Sequence, residues 1–167
     1  MDCELKPWKM EYADDLVEAI NNKNVLNNLR DGIPYPYTVA DAEEFISSVM
    51  NADKNSTFAF AIICEGRTVG SIGVFRQDNI HFRTAEMGYY IAEPYWGKGI
   101  GTSAVASICK IVFENTDIVR IYAEPFAYNI ASRRILEKNG FVCEGILRNN
   151  AVKNGKILDM MMYSLIK

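Results

Sequence analysis

The chain is poor in the residues that build metal centres. Its 167 residues include a single histidine, His81, and four cysteines, Cys3, Cys64, Cys109 and Cys143, that lie far apart in sequence. Zinc and similar ions need several Cys or His side chains at short, defined spacings, so we expect no metal. A domain of this length can bury enough surface without cross-links, so all four cysteines are expected to be reduced thiols.

Long apolar runs and an excess of basic residues are also missing. No stretch approaches the ~18 apolar residues of a membrane span, and the charged start, Met1–Trp8, does not resemble a signal peptide. Lys and Arg number 18 against 21 Asp and Glu, a net charge of −3. Nucleic-acid binding favours a basic surface. We therefore expect a cytoplasmic protein with neither a membrane nor a nucleic acid as partner.

The remaining pattern predicts one domain over residues 1–167, without repeats or linkers. Hydrophobic residues make up 49% and charged residues 23% of the chain, which is typical of globular proteins. Two hairpins are predicted around Glu65-Gly66 and Asn154-Gly155. A strand–helix–strand unit covers residues 85–123. These elements predict an α+β domain with a mostly antiparallel sheet.

The first half of the chain carries a clear helix start. Thr38 is expected to be an N-cap, with Asp41 at the capping-box position. The preceding residues 31–37 contain two prolines and a glycine, which predicts a loop. The helix after Thr38 places its apolar residues at i, i+3 and i+4 spacing, which indicates one buried face. These residues are Ala42, Phe45, Ile46, Val49 and Met50.

A loop with three alternating glycines, Trp96-Gly97-Lys98-Gly99-Ile100-Gly101, lies between the strand and helix of the central unit. Unpaired N–H groups at a helix start attract anions, and glycine lets the backbone approach a phosphate closely. Gly99 follows Lys98 where a Walker A motif needs Ser or Thr, and Thr102 stands where the dinucleotide fingerprint needs its third glycine. A phosphate-binding loop of another type is favoured; an ordinary tight turn is the alternative.

Two segments together resemble a known enzyme family. The segment 89–104, Tyr-Tyr-Ile-Ala-Glu-Pro-Tyr-Trp-Gly-Lys-Gly-Ile-Gly-Thr-Ser-Ala, resembles the acetyl-CoA-binding motif of the GNAT (Gcn5-related) N-acetyltransferases. The segment 129–141 resembles the N-x-x-S-x-x-x-x-E-K-x-G-F motif of the ribosomal-protein N-acetyltransferase (RimJ/RimL-type) branch. Weaker matches lie at residues 34–42 and at Gly155…Asp159…Tyr163, so the resemblance covers nearly the whole chain in the family's order.

The resemblance implies the GNAT fold, a mixed, mostly antiparallel sheet of about six or seven strands with helices on both faces. It implies acetyl-CoA as co-substrate and no metal. The loop would wrap the CoA pyrophosphate through its main-chain N–H groups, and the strand end before it would hold the thioester. Asn129 would hold the pantetheine arm, or act only as a helix N-cap. The other residues expected to bind acetyl-CoA are Ile91, Ala92, Trp96, Gly97, Lys98, Gly99, Ile100, Gly101 and Thr102.

The resemblance also suggests catalytic residues. Glu86, on the strand five residues before Ile91, is the candidate base that deprotonates the attacking amine; a solvated glutamate is the alternative. Many superfamily members place an acid tyrosine seven residues after the position of Asn129, but here Leu136 occupies it. Ser132 is the remaining hydroxyl of the motif and the candidate group for the leaving thiolate. Its alternative role is that of a serine in a first helical turn bonding the backbone.

The acceptor amine is less defined by the sequence. Tyr35 and Tyr37, in the proline-bounded loop, are expected to line the amine pocket, with plain loop packing as the alternative. The branch implied by the resemblance acetylates protein N-termini, whereas its relatives acetylate polyamines, amino acids or aminoglycosides. A non-catalytic acyl-CoA sensor and a nucleotide-binding regulatory domain are the alternatives to an enzyme. A monomer or homodimer is expected.

Overall fold

A computed structural model describes all residues from 1 to 167. Its centre is one seven-stranded sheet in the order β1-β2-β3-β4-β5-β7-β6. All neighbouring strands are antiparallel except β4 and β5, which are parallel. The strands are β1 (Cys3–Pro7), β2 (Thr57–Cys64), β3 (Arg67–Arg76), β4 (Thr84–Ile91), β5 (Arg120–Ala123), β6 (Val142–Lys153) and β7 (Lys156–Ile166).

Five α-helices connect or cover the strands, and none is both long and apolar enough to cross a membrane. They are α1 (Ala13–Ile20), α2 (Lys23–Leu26), α3 (Val39–Met50), α4 (Ile100–Asn115) and α5 (Ile130–Lys138). The predicted capping box before α3 is confirmed, because Thr38 and Asp41 bond each other's backbone N–H groups. Hydrophobic periodicity does not predict the four-residue α2, because this helix makes barely one turn.

The sheet separates two hydrophobic cores, which confirms the predicted α+β class with helices on both faces. On one face, α1 and α3 contribute Leu16, Ile20 and Ile46 to a core closed by Trp8. On the other face, α4 and α5 bury residues such as Val105, Ile108, Val112 and Leu136 against the sheet. Burial of such aliphatic side chains is the main favourable term in holding layers together.

The parallel pair β4–β5 opens a gap in the sheet. Only residues 84–86 of β4 pair with β5, at 120–122. Beyond Glu86, β4 continues to Ile91 while paired with β3 alone. The chain leaves β4 through the glycine loop and enters α4, which therefore begins beside this gap.

Two of the four cysteines differ from expectation. Cys3 and Cys64 form a disulfide, whereas Cys109 and Cys143 are free. The register of β1 against β2 places residues 3 and 64 directly opposite each other, with Cα atoms 4.3 Å apart. The prediction of four reduced thiols was wrong for this pair, because 61 residues of sequence separation concealed their pairing across the strands.

Candidate active site

Two cavities meet at the gap between β4 and β5. The first, here called the glycine-loop cleft, has a volume of about 380 Å3. It lies between the glycine loop, the free end of β4 (residues 87–91, which pair with β3 but not with β5) and the start of α5. Its lining comprises Val25, Asn28, Leu29, Tyr89, Tyr90, Ile91, Tyr95, Trp96, Gly97, Lys98, Gly99, Ile100, Gly101, Thr102, Asn129, Ala131, Ser132, Arg134, Ile135 and Lys138.

The glycine loop presents backbone N–H groups to this cleft. Gly97 and Gly99 have φ angles of 72° and 79°, a left-handed conformation that glycine adopts without strain. Gly99 is the N-cap of α4, and no side chain caps this helix end. The first N–H groups of α4 therefore lack helical acceptors, and their residues line the cleft. Such an uncapped, positively polarised helix start suits an anion.

The third glycine of the loop has a different role. A Cβ on Gly101 would lie 2.7 Å from Cδ1 of Ile135 and 3.2 Å from Cδ1 of Ile91. A larger residue at this position would therefore displace the ends of these two isoleucine side chains, and glycine lets α4 pack closely against α5 and β4. By contrast, nothing lies within 4 Å of a Cβ built on Gly97 or Gly99, where the cleft itself is open.

The free end of β4 points one amide into the gap. The N–H of Ala92 donates to the carbonyl of Val69 on β3 at 2.8 Å. Because bonded and non-bonded pairs alternate in an antiparallel ladder, the N–H of Ile91 faces the opposite way, towards the gap. The indole Nε1 of Trp96 donates to the carbonyl of Ile91 at 2.7 Å and fixes this strand end. Ala92, expected to touch the cofactor, is buried with its N–H satisfied and does not line the cleft.

Helix α5 adds polar and cationic groups to the cleft. The side-chain oxygen of Asn129 caps α5 by accepting from the N–H of Ser132 at 3.1 Å, and both residues line the cleft. Arg134 and Lys138, four residues apart on α5, line it as well. These two cations were not among the residues predicted from the sequence. Their spacing of four residues on the helix that begins after Asn129 could have predicted that they share one face of that helix.

Tyr89 and Ser132 form a hydroxyl pair at the junction of the two cavities. The phenol oxygen of Tyr89 lies 2.7 Å from Oγ of Ser132. Burial raises the pKa of the Tyr89 phenol to about 12, so the phenol is protonated at neutral pH. Ser132 was predicted from the sequence, whereas its partner Tyr89 on β4 was not.

The second cavity, here called the carboxylate cavity, opens on the α1–α3 side of the gap and has a volume of about 430 Å3. It shares Asn28, Leu29, Tyr89, Tyr90, Asn129 and Ser132 with the glycine-loop cleft. Its other lining residues are Arg30, Asp31, Ile33, Phe45, Val49, Ala59, Ser71, Gly73, Phe75, Glu86, Met87, Gly88, Ala123, Glu124, Pro125, Phe126 and Met160.

Three carboxylates line this cavity: that of Asp31, which pairs with Lys153, and two that share one arginine. Glu86 on β4 and Glu124 after β5 have side chains 25% and 21% exposed, and both contact the guanidinium of Arg30. Nη2 of Arg30 lies 2.5 Å from Glu86 and 3.2 Å from Glu124. Partial burial and the negative charge of Glu86 raise the pKa of the Glu124 carboxyl, an effect that Arg30 opposes. The structure thus adds Glu124 and Arg30 to the predicted Glu86.

The segment 22–31, which carries Arg30, crosses both cavities and is tied down at both ends. Asn22 and Asn24 donate to the carboxylate of Glu93, just before the glycine loop, at 2.6 and 2.9 Å. At the other end, Asp31 pairs with Lys153 of the β6–β7 hairpin at 2.8 Å. None of these partners is near the segment in sequence, so no local pattern predicted it.

Tyr35 and Tyr37 do not line either cavity, contrary to expectation. Tyr35 is 54% exposed, and its ring lies under the ammonium of Lys23. Tyr37 is buried in the core between α1 and α3, where its hydroxyl donates to the carbonyl of Asp41. The loop turns its aromatic side chains away from the gap because Asn21 holds the Tyr37 backbone through two hydrogen bonds.

Two other chemistry-bearing residues have no place in the site. His81 is exposed in a short 3-10 turn outside both cavities. Burial raises the pKa of the Cys109 thiol to about 12, which leaves it a packing residue of α4 rather than a nucleophile.

Comparison with known proteins bears directly on this architecture. The family model of the acetyltransferase (GNAT) domain matches residues 3–142. The protein named "Putative ribosomal N-acetyltransferase YdaF" of Bacillus subtilis is 34% identical over 116 residues, 70% of this chain and 62% of YdaF. The ribosomal-protein-serine acetyltransferase of Escherichia coli is 26% identical over 119 residues, 71% of this chain and 66% of that protein. The match thus spans somewhat less than two thirds of each relative.

The fold itself is shared with solved structures. RimL, a ribosomal L7/L12 alpha-N-protein acetyltransferase solved in complex with coenzyme A, superimposes with a TM-score of 0.87 at 21% identity. The superposition covers 98% of this chain and 93% of RimL. Since the family model matches residues 3–142, most of the chain, the chain belongs to the GNAT acetyltransferase family.

Proposed function

We propose that this protein transfers the acetyl group of acetyl-CoA to a primary amine, and that the amine is the N-terminus of a protein. The observation that carries the proposal is the meeting of two cavities at the β4–β5 gap. A thioester held in the glycine-loop cleft would face an amine held in the carboxylate cavity, with Tyr89 and Ser132 in the wall shared by both.

The residues of the glycine-loop cleft fit acetyl-CoA. The open space beside Gly97 and Gly99 and the unpaired N–H groups at the start of α4 would receive the pyrophosphate. Lys98, Arg134 and Lys138 supply cations along the same cleft for further phosphate oxygens. When bound, acetyl-CoA supplies an activated acyl group with a thiolate as leaving group.

The chain's own groups divide the work of transfer. The N–H of Ile91 would donate to the carbonyl oxygen as negative charge develops there. An ammonium has no free electron pair, so Glu86 or Glu124 would accept a proton from the amine before or during attack. The Ser132 hydroxyl would donate to the sulfur as the C–S bond breaks.

The surroundings of Glu124 favour it as the proton acceptor. A base is a more effective proton acceptor when its pKa lies closer to the working pH. Burial and the charge of Glu86 shift the pKa of Glu124 in that direction. Glu86 is bound more closely by Arg30. We therefore assign the proton transfer to Glu124 and the attraction of the cationic amine to both carboxylates.

Two observations favour a protein N-terminus as acceptor. The similar E. coli protein is named a ribosomal-protein-serine acetyltransferase, and RimL an alpha-N-protein acetyltransferase. The carboxylate cavity combines Glu86 and Glu124 with an apolar wall that includes Phe45, Phe75 and Phe126, which suits an amine carried by an amino-acid residue. A ribosomal substrate would place the reaction in the cytoplasm. The reducing environment there would favour the thiol form of Cys3 and Cys64 over their disulfide.

Free-thiol release from acetyl-CoA tests the proposal. We expect turnover with peptides that begin with Ser or Ala, and markedly slower turnover with spermidine, free amino acids and an aminoglycoside. The same peptides with a blocked N-terminus are the matched controls. Faster turnover of a small amine would reassign the acceptor. Calorimetric binding of acetyl-CoA without thiol release from any amine would indicate an acyl-CoA sensor, and binding of ATP alone a nucleotide-binding domain.

A further inference from the structure

The hydroxyl that would serve the leaving group cannot come from the middle of α5. Position 136, where many members of the superfamily carry tyrosine, holds a leucine that is fully buried in the core. Ser132, one turn earlier, is the hydroxyl of α5 that reaches both cavities. A serine hydroxyl rotates freely, so something must fix the direction of its hydrogen.

Tyr89 is positioned to fix that direction. It lies on the part of β4 that pairs with β3 but not with β5, two residues before Ile91, and its phenol oxygen is 2.7 Å from Oγ of Ser132. The other acceptor within reach of the phenol is the carbonyl of Ser132, at a long 3.4 Å. The main hydrogen bond of the Tyr89 phenol is therefore the one to Ser132.

The backbone removes one competing arrangement. The N–H of Ser132 is satisfied by the side chain of Asn129, so the serine oxygen is not required as a helix cap. If the phenol donates to Oγ, the serine hydrogen is free to point into the gap. If the serine donated to the phenol instead, the phenol would have only the poor 3.4 Å acceptor.

We propose that Tyr89 is a positioning residue for the leaving group: its phenol donates to Oγ of Ser132 and directs the serine hydrogen towards the thioester sulfur. The proposal rests on the acetyl transfer proposed above. Donation by the phenol also polarises the serine O–H, because hydrogen bonds in a chain strengthen one another.

Acetyl transfer forms one bond and breaks one. The amine nitrogen forms a bond to the acetyl carbon, and the C–S bond breaks with its electron pair on sulfur. The surplus proton of the amine goes to the carboxylate side of the gap, and the thiolate accepts a hydrogen bond from Ser132. The phenol keeps its own proton, since burial holds its pKa near 12, well above the ~8.5 of an ordinary thiol.

A double-mutant cycle tests this arrangement. We expect Tyr89→Phe and Ser132→Ala each to lower kcat by about tenfold while KM and the acetyl-CoA dissociation constant stay nearly unchanged, the signature of an interaction made mainly in the transition state. The double variant should be no slower than Ser132→Ala, because the phenol acts only through the serine. Tyr12→Phe, which removes a phenol beside Trp8 in the other core, is the matched control.

The possible results separate the two proposals. No thiol release by the wild type with any amine would overturn the proposed function and this inference together. An active wild type with full kcat in Tyr89→Phe would overturn the inference alone. Multiplicative losses in the double variant would also overturn it, since they would show that the phenol acts independently of Ser132. Melting temperatures of all variants, measured in parallel, identify losses caused by unfolding.

Discussion

The glycine-loop cleft and the carboxylate cavity are built from different parts of the chain. The cleft offers mainly backbone: amides of a left-handed loop, an uncapped helix start and the free N–H of Ile91. The cavity offers side chains, with Glu86 and Glu124 held by Arg30. A backbone donor keeps its position whatever side chain the residue carries, whereas the substitution of a single residue removes an ion pair.

This difference separates what a shared fold fixes from what it leaves variable. The cleft's donors follow from the path of the main chain, so a chain with this fold and these glycines retains them. The cavity's charges depend on individual residues at positions 30, 86 and 124. We therefore expect substitutions in the cleft to act through space and charge, and substitutions in the cavity to act through proton transfer and amine affinity.

The largest effect is expected at Gly99. Gly99→Asp should weaken acetyl-CoA binding by about 100-fold or more, because a carboxylate would stand where the pyrophosphate is expected. Asn at the same position is the matched control, since it has the same size and tolerates a positive φ equally well but carries no charge. Melting temperatures of both variants check that α4 survives the change at this left-handed N-cap. Calorimetry measures both constants, and equal affinities for Asp and Asn would contradict the assignment of the loop.

The next effect concerns the two carboxylates. Glu124→Gln should reduce kcat/KM at neutral pH by roughly 100-fold, the usual scale of general-base catalysis, and Glu86→Gln by less. Both rates should recover as the pH approaches the pKa of the free amine, because the substrate then loses its proton to solvent. A larger loss in Glu86→Gln would return the proton transfer to Glu86.

The pH profile sharpens the same assignment. The pKa of Glu124 is raised, so the carboxyl is protonated and unable to act below that pKa, and kcat/KM should fall on the acid side. The charge of Glu86 contributes to the shift. In Glu86→Gln the acid limb should therefore move to lower pH. An unmoved limb would show that another group controls it.

A smaller effect is expected at Arg30. Its guanidinium neutralises both carboxylates, so Arg30→Gln should lower KM for cationic amines by no more than about fivefold, in keeping with the ≤1 kcal/mol of an exposed ion pair. Arg67→Gln is the control, because Arg67 pairs with Asp15 and Glu18 away from both cavities. A raised KM in Arg30→Gln would indicate that Arg30 binds the acceptor rather than competing with it.

The smallest effect on activity is expected at the disulfide, which lies outside both cavities. Under denaturing, non-reducing conditions two thiols should titrate, those of Cys109 and Cys143, and four after reduction. Reduction should leave kcat unchanged, because β1 is an edge strand and Cys3 and Cys64 line neither cavity. A loss of activity on reduction would connect this edge of the sheet to the gap.

Local signals account for what the sequence could predict. The Thr38 capping box, the glycine loop and the Asn129 helix start are each encoded within a few residues, and the structure has all three where the sequence predicts them. The fold class follows from the order of such elements. The backbone-built cleft was accessible to sequence reasoning for this reason.

The carboxylate cavity was less accessible because its parts meet only in three dimensions. Arg30 reaches Glu86 and Glu124 across 56 and 94 residues. The prediction for Tyr35 and Tyr37 differs from the structure for the same reason. The sequence indicates a proline-bounded loop, but not the hydrogen bonds with Asn21 that turn this loop towards the core. Side-chain pairing across distant segments leaves no periodic trace in a single sequence.

The hydrogen bond from Trp96 to the strand end gives the protein an optical reporter of the glycine-loop cleft. The chain has two tryptophans: Trp8 is 4% exposed in the core beside α1, whereas Trp96 is 44% exposed in the glycine-loop cleft. The indole of Trp96 binds the carbonyl of Ile91, whose N–H faces the gap. Its emission should therefore change with the polarity of the cleft while that of Trp8 stays constant, so intrinsic fluorescence can follow cleft occupancy without a label.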